Sequence, residues 1–396
     1  MASRRRQGYP SNIAEFKQRF PNHERNTVHS IPRSIAGASG SRWTAAHLES
    51  CRVILSQPQQ ANEHLEILRP YLASSRLHID TCPEILQSLT LVSAKTLRES
   101  TSAELRRMGG HFGAFYSRLA EVVRMPQLER RVQPNRDINR PECTEYVTGE
   151  GLGFSSPLGT DASTQVQSSP FAPSDSDPTE RSDHELRIKH EVVTASMTAE
   201  FISTVLDICS GQLNPTSRIE FSAAPTTYKM RTRWLQTTCQ DDGSLICRHK
   251  SVFSGYWVPR GYPLAIVESK AAYTSWNEDE DSAQVSTNVL AQQICEMVTS
   301  TFQRSDIGED DLEDLNPKAR HVFLLSAHQT VLTFMHWVVK DEYINYFRSE
   351  KPPDVLPFLN LRSSSTFDLE KVPERLEAVY GLMSLRTFLD SENITV

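Results

Sequence analysis

The chain has 396 residues, of which 38% are hydrophobic and 23% are charged. This composition is typical of a globular protein with a sizeable core, and the length predicts two or three domains. The chain contains no run of 18 apolar residues, so we expect no membrane span and no membrane partner.

Seven cysteines are scattered along the chain, and no two have the spacing Cys-x-x-Cys. This pattern argues against a disulfide framework and against a zinc site. The first residues include Arg4-Arg5-Arg6 but no apolar segment follows them, so a secretory signal is not expected. We therefore predict an intracellular protein of the nucleus or the cytoplasm.

Charge is distributed unevenly. Residues 1–131 hold 19 Lys and Arg against 11 Asp and Glu, whereas the remaining residues have a net charge of −15. Such asymmetry is found in proteins with a nucleic-acid-facing or partner-facing arm. Two domains with different solvated surfaces would explain it equally well.

The N-terminal third divides into two segments. Residues 1–42 contain three prolines and no lasting hydrophobic periodicity, which predicts a disordered tail. In residues 43–131 apolar side chains recur at helical spacing, as in Leu105, Met108 and Phe112. We predict a helical lobe here, with a surface that a protein partner could use.

A compositional change marks the next boundary. Of the 33 residues 151–183, 22 are Gly, Ser, Pro, Thr or Asp, too polar a mixture to offset the entropy of ordering. We predict a disordered linker over 132–183, followed by a second domain over 184–391.

The second domain mixes helix and strand periodicities. Helices are predicted near 186–210, 286–304, 341–348 and 373–389, and strands near 233–240, 244–253, 263–270, 322–326 and 330–338. Asp242-Gly243 is a strong two-residue hairpin signal between the first two strands, and Arg260-Gly261 predicts a second turn. The predicted fold class is α/β, with one mixed sheet (an α+β arrangement) and helices packed against it.

The apolar strand 263–270 ends in Glu268-Ser269-Lys270. Side chains alternate along a strand, so Glu268 and Lys270 share one face. A buried carboxylate and ammonium are costly unless they pair or are used. Phosphodiester hydrolysis uses such a pair, because the carboxylate can hold Mg²⁺ while the lysine steadies charge and orients water.

The order of motifs resembles the PD-(D/E)XK nuclease superfamily, and more narrowly the PD-(D/E)XK nuclease-like domain of uncharacterised fungal proteins. The resemblance covers roughly residues 185–350. The motifs that carry it are Arg233-Trp234-Leu235-Gln236-Thr237, Asp242 to His249, Leu264 to Lys270, Gln292 to Met297, Phe323-Leu324-Leu325-Ser326 and Tyr343-Ile344-Asn345-Tyr346. It implies a restriction-endonuclease-like core beside the N-terminal helical lobe.

The resemblance also implies roles for individual residues. Glu268 takes the acidic position of the motif, Lys270 the lysine, and Gln292 the glutamine on the following helix. In related exonucleases a glutamine at that place contacts the substrate near the metal. An ordinary solvated helix residue is the alternative for Gln292.

The first acid of the motif should lie on the strand paired with Glu268. A turn at Arg260-Gly261 would put Phe253 opposite Glu268, and the segment Ser251–Gly255 contains no carboxylate. The candidates for a replacement, in order, are Glu220, Glu200 and Asp242, and Asp242 is interpreted as a turn residue. We predict Glu268 and Glu220 as the metal ligands.

Basic residues alternate in two extended segments, where they could contact phosphates. The predicted nucleic-acid-binding residues are Lys229, Arg231, Arg233, Arg248 and Lys250. Trp234, Tyr256 and Trp257 are available for stacking on bases. A solvated sheet face is the alternative, and the net charge of −15 opposes nucleic acid.

Together these patterns predict a Mg²⁺-dependent nuclease with Glu268, Lys270 and Gln292 as catalytic residues. The alternative keeps the fold without catalysis, as an inactive binding or scaffold module that has lost its first acid.

Overall fold

The computed structural model describes residues 9–58, 60–125, 178–209, 217–271, 275–277, 282–305 and 320–391. Its helices are α1 (Ile13–Arg19), α2 (Arg33–Ala36), α3 (Ala45–Ser50), α4 (Arg69–Asp80), α5 (Pro83–Leu91), α6 (Ala94–Glu99), α7 (Ser102–Met108), α8 (Gly113–Arg124), α9 (Pro178–Ile208), α10 (Thr287–Ser305), α11 (Asp341–Arg348) and α12 (Val372–Ser391).

The strands are β1 (Val53–Ser56), β2 (Ser217–Ser222), β3 (Thr227–Arg231), β4 (Gln236–Gln240), β5 (Gly243–Lys250), β6 (Trp257–Lys270), β7 (Ser275–Asn277), β8 (Ser282–Gln284), β9 (His321–His328), β10 (Val331–Val338), β11 (Leu359–Ser363) and β12 (Phe367–Asp368). The class is therefore mixed α/β, as predicted.

One eight-stranded mixed sheet organises the molecule, in the order β1-β11-β10-β9-β6-β5-β2 with β12 beside β10. The pairs β1–β11 and β6–β9 are parallel, and the other pairs are antiparallel. Strands β3 and β4 form a separate two-stranded sheet, and so do β7 and β8. The predicted strands 263–270, 322–326 and 330–338 are confirmed as parts of this sheet.

The sheet has an apolar layer on each face because its central strands alternate. Ala265 and Val267 of β6 pack into one apolar cluster with α8, α9 and α12. Ile266, between them, packs into the other cluster with α10 and α11. Both faces are covered, as parallel strands require. None of the described helices is long and apolar enough to cross a membrane.

Two predictions about the first third of the chain are corrected. The disordered tail predicted for 1–42 is wrong for residues 9–42, which contain α1 and α2 and bury Phe16 and Val28 completely. These elements are too short for a periodic signal, and long-range contacts hold them: Val28 N donates to the hydroxyl of Tyr346 at 2.9 Å.

The predicted lobe 43–131 does form helices over its described part, but it is not a separate unit. Strand β1 belongs to the central sheet, and the helices share one apolar cluster with α9 and α12. The buried guanidinium of Arg375 on α12 donates to the carbonyl oxygens of Leu89 and Val92 at 2.9 and 3.0 Å. Residues 132–177 of the predicted linker 132–183 lie outside the described residues. The rest of the predicted linker, from Pro178, is helical.

Candidate functional site

Glu268 and Lys270 lie at the carboxyl end of β6, at the centre of the sheet. Glu268 is opposite Ser326 of β9 and Lys270 is opposite His328, in parallel register. The side chain of Glu268 is 1% exposed and that of Lys270 is 16% exposed. The apolar residues before them fix the strand inside the sheet, so both charged groups are held in a nearly water-free position.

Lys270 joins two carboxylates from different elements. Its ammonium group forms an ion pair with Glu268 on its own strand and a second one, at 3.0 Å, with Glu191 Oε1 on α9. The side chain of Glu191 is 38% exposed. Glu191 therefore marks the side on which the cluster reaches solvent.

Helix α10 supplies two more polar groups, as the predicted position of Gln292 beside the Glu-x-Lys strand requires. The side-chain amide of Gln292 donates to Glu268 Oε1 at 2.7 Å and to Glu296 Oε1 at 3.1 Å. Since one nitrogen lies close to both oxygens, the two carboxylates are near neighbours. Glu296 is fully buried, and it lies one helical turn after Gln292 on the same face.

Asp242 completes the cluster from the neighbouring strand. Gly243 pairs with Val267 in the antiparallel ladder of β5 and β6, which brings Asp242 to the level of Glu268 and Ser269. The backbone N–H of Ser269 donates to Asp242 Oδ2 at 2.7 Å, and Asp242 N donates to Val267 O at 3.0 Å. The carboxylate of Asp242 is thereby fixed against the backbone of the Glu-x-Lys segment.

Gly243 permits this placement of Asp242. Its φ is +152°, and a Cβ atom there would lie 2.7 Å from Phe221 Cζ and 2.8 Å from Ser222 O on β2. Only glycine lets β2 approach so closely in this conformation. The Asp-Gly pair thus starts a central strand, and the hairpin predicted at this place is wrong: β4 pairs with β3, and β5 pairs with β2 and β6.

The predicted turn at Arg260-Gly261 is also wrong, and this turn had placed Asp242 last among the three candidates for the first acid. Strand β6 runs through both residues, and Gly261, with a φ of +68°, lies where the register of β5 and β6 shifts. The real turn lies at residues 251–256, where Ser251 N donates to Tyr256 O at 2.9 Å. With the turn at residues 251–256, the residue opposite Glu268 is Asp242 and not Phe253.

The structure does not bring Glu220 or Glu200 to this cluster. Glu220, predicted as a metal ligand, is on β2 and pairs with Ile246 of β5. Ile246 is four residues after Asp242, so Glu220 lies roughly 13 Å from Asp242 along the strand direction. Its carboxylate forms ion pairs with Arg218 and Arg248. Glu200 lies nine residues beyond Glu191 on α9, about 13 Å along the helix axis.

Asp242, Glu268 and Glu296 have raised pKa values. Burial, opposed by Lys270 and reinforced by Asp242, raises the pKa of Glu268 to about 8. Burial also raises the pKa of Asp242 and, together with Glu268, that of Glu296. Burial lowers the pKa of Lys270, but the surrounding carboxylates outweigh it and the net shift is upward. One ammonium group therefore faces more negative charge than it can neutralise.

The cluster also has polar atoms without partners. Glu268 Oε2 and Glu296 Oε2 are buried and accept no hydrogen bond from the part of the chain that the structure describes. A buried acceptor left unpaired costs roughly 1–3 kcal/mol, and more when it is charged. Hard oxygen donors of this kind suit Mg²⁺.

Behind the cluster, α10 and β9 are joined by a buried polar network. Gln293 Nε2 donates to Ser326 Oγ at 2.6 Å, and Ser326 Oγ lies 2.9 Å from His328 Nε2. All three side chains are buried. The network fixes α10 against the strand that is parallel to β6, and so holds Gln292 in place.

The predicted nucleic-acid-binding residues do not surround the cluster. Lys229 and Arg231 lie on β3, in the small sheet, and Arg233 follows them and forms an ion pair with Glu350 at 2.5 Å. Arg248 and Lys250 lie at the opposite end of β5 from Asp242. These residues form two separate groups, each away from the carboxylates.

Of the two predicted metal ligands, Glu268 lies in the cluster and Glu220 does not; the structure places Asp242 beside Glu268 instead. Among the residues that the structure describes, no three His, Cys, Asp or Glu side chains are arranged to hold a metal ion by themselves. Mg²⁺ is usually bound through only one or two carboxylates together with phosphate oxygens of the substrate. The pair Asp242 and Glu268 fits that requirement.

Sequence reasoning missed Glu191 and Glu296. Glu296 could have been found from its spacing of four residues from Gln292 on a helix. Glu191 gave no comparable signal: Ile188 and Val192, at helical spacing around it, have the pattern of a buried face, but they are 39% and 44% exposed.

No protein-family model matches the chain, and no curated protein sequence matches it.

Proposed function

We propose that the protein is a Mg²⁺-dependent nuclease of the PD-(D/E)XK type that hydrolyses phosphodiester bonds of nucleic acid. The observation that carries the proposal is the placement of Asp242 beside the Glu268-x-Lys270 strand end. This carboxylate supplies the first acid of the motif.

The order of the elements around the site supports a restriction-endonuclease-like core. Helix α9 is followed by the antiparallel strands β2, β5 and β6, then by α10, and then by β9 parallel to β6. The acidic residues occur at the start of β5 and at the end of β6, and Gln292 lies on the helix between the parallel strands. A third acid, Glu191, comes from the helix before the sheet.

Each residue of the cluster has a role that its contacts allow. Asp242 and Glu268 would hold the metal ion, with Glu268 Oε2 available because nothing in the described chain donates to it. When bound, Mg²⁺ would neutralise charge on the scissile phosphate and activate a water molecule. Lys270 would neutralise charge at the phosphate, and Glu191 holds its ammonium group at the solvent side.

Gln292 positions Glu268 through the hydrogen bond of 2.7 Å. Because that bond occupies Oε1, the other carboxylate oxygen is directed to the metal position. Glu296 accepts from the same amide, which fixes the orientation of the amide group so that nitrogen faces both carboxylates.

An inactive module of the same fold is the second candidate. The observation that favours it is the ion pairing of Lys270 with both Glu268 and Glu191, which satisfies the lysine without a substrate. In that case the cluster would only join β6 to α9.

Cleavage assays with the full chain separate the two. The wild type is incubated with single-stranded and double-stranded DNA and RNA in Mg²⁺, in Mn²⁺ and in chelator, and the products are resolved on denaturing gels. We expect metal-dependent cleavage that Glu268→Ala, Lys270→Ala and Asp242→Ala each abolish. Glu220→Gln, an acid outside the cluster, is the matched control and should keep full activity.

Two results would contradict the proposal. Undiminished cleavage in the Glu268→Ala and Lys270→Ala proteins would remove the site assignment. Loss of activity in Glu220→Gln with retention in Asp242→Ala would restore the other choice of first acid.

A further inference from the structure

Strands β5 and β6 are joined by an arm that consists of the pair Lys250–Trp257 and the turn at residues 251–256, beyond the last described pair of β2 with β5. The last pair that β2 makes with β5 is Ser217 with His249. From Lys250 and Trp257 outward the arm pairs only with itself among the described residues. A register shift between Leu245 and Cys247 lies closer to the centre of the sheet.

The tip of the arm is unusually apolar for a solvated turn. Phe253 is 98% exposed, Val252 is 91% exposed and Tyr256 is 75% exposed. Large apolar side chains that cluster in full solvent mark an interaction surface. Two of the three are aromatic, so flat faces are available at the tip.

The charge of the arm defines the partner. The arm itself, residues 250–257, contains one charged residue, Lys250, and the longer segment 243–267 contains three Lys and Arg residues and no Asp or Glu, in a chain with a net charge of −7. Near the base of the arm Arg218 and Arg248 share one carboxylate, that of Glu220, which leaves an excess of positive charge. Arg218 also lies over the ring of Trp257, 4.3 Å from its centroid.

We infer that the tip of the arm is a binding platform for single-stranded nucleic acid, on which Phe253 and Tyr256 stack against bases while Lys250 contacts the phosphate backbone. Aromatic faces beside basic residues are the usual means of sequence-tolerant single-strand binding. A duplex has no exposed base faces along its length, so it could contact Lys250 but would gain nothing from the two rings. The inference rests on the proposed function only in taking nucleic acid as the substrate.

The tip lies far from the carboxylate cluster. Tyr256, which immediately precedes β6, is twelve residues from Glu268, about 30–40 Å at the rise of a strand. A strand bound at the tip must extend over this distance to reach the cluster, whereas binding at the tip alone does not require it.

Fluorescence anisotropy of the full chain, in chelator so that nothing is cleaved, tests the inference. The probes are a labelled 30-nucleotide single strand and a 30-base-pair duplex at one fixed salt concentration. The double variant Phe253→Ala/Tyr256→Ala should weaken binding of the 30-nucleotide strand at least tenfold and leave duplex binding unchanged. The exchange Phe253→Tyr/Tyr256→Phe, which keeps both rings, should bind like the wild type.

Leu77→Ala is the matched control, because Leu77 is an apolar side chain that is 64% exposed on α4, and it should have no effect. Wild-type affinity of the double alanine variant for the 30-nucleotide strand would overturn the inference. So would a tip-dependent association with phosphatidylserine vesicles, or a tip-dependent self-association in light scattering, without a change in single-strand binding.

The two proposals fail in different assays. A protein that binds single strands through the tip but cleaves nothing in Mg²⁺ would refute the nuclease and support the platform. A protein that cleaves, with tip variants that bind like the wild type, would do the reverse.

Discussion

Replacement of Glu268 by glutamine should make the metal-free protein more stable while removing its proposed activity. The carboxylate is 1% exposed, and burial, opposed by Lys270, raises its pKa from 4.5 to about 8. An acid with a raised pKa in the folded state contributes stability that is complete below the unfolded pKa and is lost as pH rises to the folded pKa. For Glu268 that window runs from about pH 4.5 to about pH 8.

The gain in stability from Glu268→Gln is set by the difference between the pKa of Glu268 in the unfolded and in the folded protein. Each pKa unit corresponds to about 1.4 kcal/mol, so ionisation of Glu268 costs the fold about 3–4 kcal/mol by pH 7 to 8. Glutamine has nearly the same shape as the protonated acid and can still accept the hydrogen bond from Gln292. The Glu268→Gln protein should therefore be more stable than the wild type by a few kcal/mol at pH 8, and by little at pH 5.

Urea denaturation followed by circular dichroism, in chelator at pH 5, 6.5 and 8, measures the free energy of unfolding. Chelator is needed because a metal that binds only the folded wild type would stabilise it. Glu220→Gln is the control, since Glu220 is about one third exposed and paired with two arginines, and it should not gain stability as pH rises. A Glu268→Gln protein that is less stable than the wild type at pH 8 would refute the reasoning, because the ion pair with Lys270 would then outweigh the cost of burial.

Three further substitutions test other parts of the structure. Gly243→Ala should destabilise the protein by about 2 kcal/mol or more and reduce cleavage, because a Cβ would meet Phe221 and Ser222 on β2 at a φ of +152°. Thermal melting measures the effect. An unchanged melting temperature would contradict the close approach of β2 to Gly243. Arg375→Met should lower the free energy of unfolding by about 3 kcal/mol or more, because the buried guanidinium donates to the carbonyl oxygens of Leu89, Val92, Leu369 and Glu370. The control is Arg76→Met, since Arg76 is half exposed on α4, and it should cost under about 1 kcal/mol. Urea denaturation measures both. Burial, and then the charge of His321, lowers the pKa of His336 to about 3. This histidine therefore contributes stability that is present above about pH 6.5 and is lost as pH falls towards 3. His336→Phe should make the free energy of unfolding depend less on pH between about 6.5 and about 3, and an unaltered pH dependence would show that other groups cause the loss.

The sequence predicted the long elements well and their pairing poorly. Helix 286–304 and the strands around 263–270 and 322–338 have strong local periodicities, and the structure has α10, β6, β9 and β10 at these places. Which strands pair is decided by contacts far apart in sequence. The Asp-Gly pair at 242–243 has the local signature of a hairpin, but β4 pairs with β3 and leaves β5 to the central sheet.

The candidate site was half predictable for the same reason. Glu268, Lys270 and Gln292 follow from a strand ending in charge and from the helix after it. Asp242 could be predicted only if the position of the turn between β5 and β6 was known. Gly255 and Gly261 are both candidates for that turn, and both have positive φ. The Pro-Arg-Gly sequence at 259–261 is the stronger local signal for a turn, yet that segment is an irregularity inside β6.

The energetics of the cluster favour a functional role over a structural one. A pair of buried charges is often neutral or unfavourable compared with apolar side chains of the same volume. Here Lys270 faces Glu268, Asp242, Glu191 and Glu296, and two buried carboxylate oxygens lack partners within the described chain. Since α9, β6 and α10 already share large apolar contacts on both faces of the sheet, the cluster is not needed to join them. Unfavourable groups of this kind occur mainly at functional sites, where stability is given up for activity. This cost and the two carboxylate oxygens without partners support the proposed Mg²⁺ site, because a bound cation would remove the cost.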